Sequence, residues 1–149
     1  MELRLSTAPV LGELLGARPS KFLMRRVWEK VFFDPAPFVT DEFVEKKLEL
    51  ACQLGAHQAF LKCLRSILGI RSFLSGPVHD IQEKMLIMDL PVLVIWGRDD
   101  QYISVTHHER LVEKIRGVRV ELFDRCGHAP HAERADLFHE TVAAFLKDV

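Results

Sequence analysis

Pro91-Val92-Leu93-Val94-Ile95-Trp96 is a short unbroken run of apolar residues with Gly97 directly behind it. A strand wet on one face alternates polar and apolar residues, so an unbroken run of this length, rich in β-branched side chains, predicts a strand covered on both faces. The residues beyond it continue in kind. Ser104 to about Arg116 predicts a helix closed by Gly117, and Val118 to Phe123 a second strand. A turn follows at Cys126-Gly127. Leu137, Phe138, Thr141, Val142, Phe145 and Leu146 then form the apolar stripe of a final amphipathic helix. Strand, helix, strand, helix in this order predicts parallel strands joined by crossover helices, and hence an α/β class.

Upstream the pattern changes. Pro19 and Ser20 open a segment in which Phe22, Leu23, Val27, Trp28 and Val31 recur at helical spacing, and Asp34-Pro35-Ala36-Pro37 stops it. Thr40 is placed to cap a second helix, with Asp41 and Glu42 at the positive end of its dipole and Phe43, Val44, Leu48, Ala51 and Leu54 on one face up to Gly55. Ala59, Phe60, Cys63, Leu64, Ile67 and Leu68 repeat the pattern up to Gly69. The two styles meet near Gly76-Pro77, which predicts a helical region over 1–76 and a βαβα region over 77–149.

Composition narrows the function classes. The 149 residues carry 20 Lys plus Arg against 21 Asp plus Glu, with 48% hydrophobic residues, the make-up of a globular domain rather than a disordered chain. A domain of this size buries roughly two-thirds of the surface its unfolded chain exposes, so no disulfide or metal staple is needed for a core. The net charge of −1 offers no broad positive field for nucleic acid. No run approaches the ~20 apolar residues of a membrane span, and Glu2, Arg4 and Glu13 interrupt any secretory signal. Cys52, Cys63 and Cys126 are odd in number and unrelated in spacing, which suits a reducing cytoplasm rather than a disulfide framework.

In an open parallel sheet, ligands collect beyond the carboxyl ends of the strands. The loops after Trp96 and Phe123 hold Asp99, Asp100 and His128. If the strands are neighbours, a carboxylate on the first loop and an imidazole on the second meet across 28 positions of sequence. A carboxylate on one ring nitrogen fixes the tautomer and leaves the other as a general base. The alternative is structural: a loop-capping aspartate and a histidine in a surface turn.

These residues resemble the α/β-hydrolase fold superfamily. Leu90 to Asp100 is similar to the family's penultimate strand and the Gly-x-x-Asp loop that supplies the triad acid, which assigns that role to Asp100 rather than Asp99. Phe123 to Phe138 is similar to the last strand and the Gly-His-x-Pro-x-x-Glu segment with the catalytic histidine, which assigns His128. Val31 to Glu45 resembles the helical cap of the branch that contains the meta-cleavage product hydrolases, which cleave carbon–carbon bonds. Ser104 and Ala135 stand where the family usually has proline, and Ala129 where the carbon–carbon hydrolases often carry an aromatic residue. The resemblance implies an incomplete α/β-hydrolase fold, with a helical cap over 1–76 followed by the last two strands and their helices over 77–149.

The family's nucleophile sits on a Gly-x-Ser-x-Gly elbow, whose small flanking residues permit a sharp strand-to-helix turn. No serine of this sequence has that setting; Ser75 beside Gly76 comes nearest, with Phe73 and Pro77 in the flanking places. The oxyanion loop and the earlier strands of the family are also absent from the 149 residues. The resemblance therefore implies Asp100 and His128 acting on a small apolar substrate, without a cofactor, with a nucleophile from outside these residues. A two-stranded parallel sheet with open edges and apolar faces needs cover, which predicts a homo-oligomer or a companion polypeptide carrying the elbow. The competing function is a catalytically inactive fragment that acts through protein association.

Other features have plain explanations. His128, His131 and His139, with Asp124 and Glu133 nearby, and the adjacent His107 and His108, invite a metal, but a spacing of three on a proline-containing loop is no ligand signature, and adjacent helical residues point apart. Lys21, Arg25, Arg26 and Lys30 beside Phe22, Leu23, Trp28 and Val31 make a basic amphipathic stripe that suits a membrane surface or an acidic groove, but that a cap helix over a substrate pocket explains better. Cys126 is either a redox-sensitive thiol near the site or a small semi-buried side chain.

Overall fold

The computed structural model describes residues 20–67, 79, 81, 83–85, 87 and 89–149. Pro19 and the junction at Gly76-Pro77 lie outside the described residues. Helices α1 (Lys21–Glu29), α2 (Asp41–Ala51) and α3 (Ala56–Ile67) precede strand β1 (Leu93–Gly97), and α4 (His107–Lys114), β2 (Arg119–Phe123), α5 (Pro130–Glu133) and α6 (Ala135–Lys147) follow it. The described residues fall into two compact units. One takes those up to Arg25 and from Thr40 to Glu83, the other Arg26–Val39 and those from Lys84 to Val149.

In the first unit the helix signals act as the residues predict. The Ser20 hydroxyl accepts the Leu23 N–H at 3.2 Å, and the Thr40 hydroxyl accepts the Phe43 N–H at 3.1 Å, each satisfying a donor that has no partner inside its helix. Helix α2 closes at Ala51, before the expected end at Gly55, whose φ of +82° turns the chain into α3. Val44, Leu61 and Leu64 are the buried side chains of this unit.

The second unit carries the sheet. β1 and β2 pair in parallel, Leu93 opposite Arg119 and Gly97 opposite Phe123, so both strands end at the same edge. The α/β class and the parallel pair are as expected from the apolar runs. Phe32, Val39, Ile115, Phe123, Cys126 and Ala129 are its buried side chains, with Phe32 stacked on Phe38 at 4.6 Å.

Further departures from expectation have physical reasons. Helix α1 stops at Glu29 instead of running on through Val31, because the backbone beyond it bonds elsewhere: Val31 O accepts the His128 N–H at 2.7 Å. Helix α4 starts at His107 rather than Ser104; residues 104–106 make tight turns in which Ser104 O and Val105 O accept the His107 and His108 N–H groups, both at 3.0 Å. An extra short helix, α5, opens at Pro130, where a missing N–H costs nothing, and Arg134 leaves helical geometry at φ −133° before α6 begins.

Candidate active site

The end of β1 is stitched to the end of β2. Arg98 N–H donates to Phe123 O and Asp99 N–H to Cys126 O, both at 3.0 Å. Such stitching needs backbones in close approach. A Cβ on Gly97 would stand 2.0 Å from Gly127 O and 2.3 Å from Cys126 O, and a Cβ on Gly127 would stand 2.5 Å from Val31 O. Only residues without a side chain fit at these two places.

The loop beyond Gly97 then presents Asp100. Its Oδ1 accepts the N–H groups of Tyr102 at 2.8 Å and Ile103 at 3.0 Å, a local turn that aims the carboxylate. Its Oδ2 lies 2.8 Å from His128 Nδ1. The Asp100 side chain is 3% exposed and that of His128 is 43% exposed, so the carboxylate is sheltered and the imidazole is open. A carboxylate only accepts, so Nδ1 carries the proton and Nε2 keeps its lone pair. Asp99, the other carboxylate of the loop, is exposed and does not meet the imidazole.

Two residues not singled out for this purpose in the sequence complete the setting. Tyr102 lies with its ring 5.5 Å from the His128 imidazole and donates its hydroxyl to Val27 O at 2.7 Å, capping a carbonyl at the end of α1. Glu133 accepts the N–H of Phe33 on Oε2 at 2.7 Å and, on Oε1, those of Gly127 at 2.9 Å and Ala129 at 3.3 Å. Trp96 adds an indole N–H to Ile103 O at 3.3 Å, tying the strand to the loop of Asp100.

The remaining histidines do not gather at this pair. His131 and His139 stand edge-on to Phe138, with ring centroids 6.2 and 6.0 Å from it. Among the described residues no group of three or more His, Cys, Asp or Glu side chains is arranged to hold a metal ion. Nor, among those residues, is any helix long and apolar enough to cross a membrane.

Cys126 is fully buried, and burial, with the Glu133 carboxylate 3.9 Å from its sulfur, pushes the thiol up from 9.0 to about 12. A folded-state value above the unfolded one stabilises the fold below about pH 9, and that contribution is lost as the pH climbs toward 12. At pH 8, iodoacetamide is expected to alkylate the exposed Cys52 and Cys63 while sparing Cys126, and to modify all three in guanidinium. Peptide mass spectrometry reads this directly; equal labelling of Cys126 in the native chain would show that the thiol is not enclosed.

Comparison with known proteins shows the family. Residues 27–135 match the alpha/beta hydrolase fold family, more than two-thirds of the chain. The chain belongs to that family. Among curated proteins it is 29% identical over 124 residues to the 2-hydroxy-6-oxononadienedioate/2-hydroxy-6-oxononatrienedioate hydrolase of Paraburkholderia xenovorans, covering 83% of this chain and 40% of that one. It is 35% identical over 71 residues to a monoacylglycerol lipase of Xenopus laevis, covering 48% and 21%. Among solved structures, the meta-cleavage product hydrolase from Pseudomonas fluorescens IP01 superposes with a TM-score of 0.70 at 26% identity, over 87% of this chain and 46% of that one. The chain thus spans less than half the length of these relatives. As a member of the family it is similar to the meta-cleavage branch expected from Val31 to Glu45.

Proposed function

We propose that Asp100 and His128 are the acid and base of a nucleophile–His–acid triad that hydrolyses an ester or carbon–carbon bond in a small apolar substrate. The nucleophile comes from a segment outside the 149 residues. The observation that carries this reading is the 2.8 Å contact between His128 Nδ1 and the sheltered Asp100 carboxylate at the shared edge of two parallel strands. Related hydrolases of the meta-cleavage type support the bond class.

The steps follow from the tautomer. His128 Nε2 accepts the proton of a hydroxyl or thiol nucleophile as it attacks the substrate, and Asp100 stabilises the imidazolium that forms. His128 returns that proton to the leaving group. It then takes a proton from water, whose oxygen attacks the covalent intermediate, and passes that proton to the nucleophile as the nucleophile is freed. An aspartate nucleophile has no proton to give, and His128 then acts at the water step alone. Neither a metal nor an organic cofactor is required. In this reading 1–76 is the cap region and 77–149 the carboxyl-terminal part of the core, in a cytoplasmic protein that forms a homo-oligomer or joins a companion polypeptide, the nucleophile coming from a segment other than these residues.

Purified chain, alone and mixed with the amino-terminal half of a meta-cleavage hydrolase, is assayed with a chromogenic ester while light scattering follows its mass. Turnover in the mixture that His128→Ala abolishes is the expected result. No turnover in either sample, with a stable complex on scattering, would overturn the enzyme in favour of a protein-association module.

A further inference from the structure

His128 is held at three consecutive backbone positions. The Gly127 and Ala129 N–H groups both donate to Glu133 Oε1, and the N–H of His128 itself donates to Val31 O. The other oxygen of Glu133 takes the Phe33 N–H at 2.7 Å, from a segment 100 positions earlier. One carboxylate therefore ties the turn around His128 to the segment 31–33, against which Gly127 already lies too close for a side chain. Charge-assisted bonds of this kind are about twice as strong as neutral ones. Without the carboxylate, the N–H groups of Phe33, Gly127 and Ala129 lose their acceptor together, and of the three N–H groups at 127–129 only that of His128 keeps its partner, Val31 O.

We infer that Glu133 is a positioning residue for the base: its carboxylate sets the imidazole of His128 at bonding distance from Asp100, without touching substrate. The catalytic meaning of that placement rests on the function proposed above; the placement itself does not. Glu133 lies five residues beyond the histidine, and its side chain turns back over α5 to reach the loop that α5 follows.

The test reads the histidine directly. In ¹H–¹⁵N spectra of the full chain, the Nδ1–H of His128 gives a far-downfield resonance while it is bonded to Asp100. Glu133→Ala is expected to abolish that resonance and to speed exchange of the Phe33, Gly127 and Ala129 amides by about tenfold or more. Glu133→Asp, which keeps the charge but draws it back by one methylene, gives the same loss and carries the test if the alanine variant does not fold. Glu133→Gln keeps an oxygen on Gly127 and Ala129 and retains the resonance, with fast exchange at Phe33 alone. Ile115→Ala, a core truncation in the same unit, lowers stability and leaves the resonance in place, which separates positioning from stability. A resonance that survives in Glu133→Ala or Glu133→Asp, or is lost in Ile115→Ala, overturns the inference. The proposed function fails separately, if His128→Ala leaves hydrolysis unchanged while Glu133→Ala still removes the resonance.

Discussion

Gly97→Ala is expected to destabilise the chain by about 3 kcal/mol or more, a large part of the 5–15 kcal/mol available to a typical domain. The added methyl would occupy space 2.0 Å from one carbonyl oxygen and 2.3 Å from another, and both belong to backbone rather than to side chains that rotate away. Relief requires the ends of β1 and β2 to part, which breaks the bonds from Arg98 to Phe123 and from Asp99 to Cys126. Gly117→Ala is the comparison. Its φ of +68° is uncomfortable for alanine, but nothing lies within 4 Å of the new carbon, so about 1 kcal/mol is expected. Urea unfolding followed by circular dichroism measures both. Equal, small losses would mean that the two loops do not approach this closely in solution.

Asp100→Asn is expected to lower kcat of the completed assembly by about 10⁴-fold. The asparagine can keep its oxygen on the Tyr102 and Ile103 N–H groups, and that choice sends its amide nitrogen toward His128. The flipped amide would set a donor against those two donors, so the first orientation prevails. An amide donor facing Nδ1 forces the proton onto Nε2, and the base is lost while the fold stays. The expected signature is a collapse of kcat with an unchanged unfolding midpoint, together with a switched imidazole tautomer in ¹⁵N spectra. A drop of less than about tenfold would mean that Asp100 does not set the tautomer.

Much of this architecture is legible because it depends on residue type. The run from Pro91 to Trp96 reads as a strand, although its side chains from Leu93 to Trp96 are half-buried rather than covered on both faces as the run predicts; Thr40 is a capping residue three places before an N–H in need, and Asp100 and His128 follow strands that end together. What escapes the sequence depends on backbone groups, which every residue shares. Nothing in the letters around Val31 says that its carbonyl bonds the His128 turn instead of continuing a helix. The three donors that converge on Glu133 are all main-chain N–H groups, so the place of the glutamate in the Gly-His-x-Pro-x-x-Glu segment marks it without saying what it bonds. Arg134 breaks the helix between α5 and α6 with neither glycine nor proline to announce it. The exposed Tyr102 is likewise ordinary as a letter; its hydroxyl finds a carbonyl 75 positions away.

The two compact units have a consequence for how such a sequence drifts. The unit that contains Asp100 and His128 is made of two separate stretches, and the chain leaves it at Thr40 and rejoins it at Lys84. Every bond described above that holds the histidine or its acid is made by residues of that unit: Val27, Val31, Phe33, Trp96, Tyr102, Ile103 and Glu133. The excursion from Thr40 to Glu83 supplies none of these bonds, so substitutions in α2 or α3 change that segment without removing a partner of Asp100 or His128.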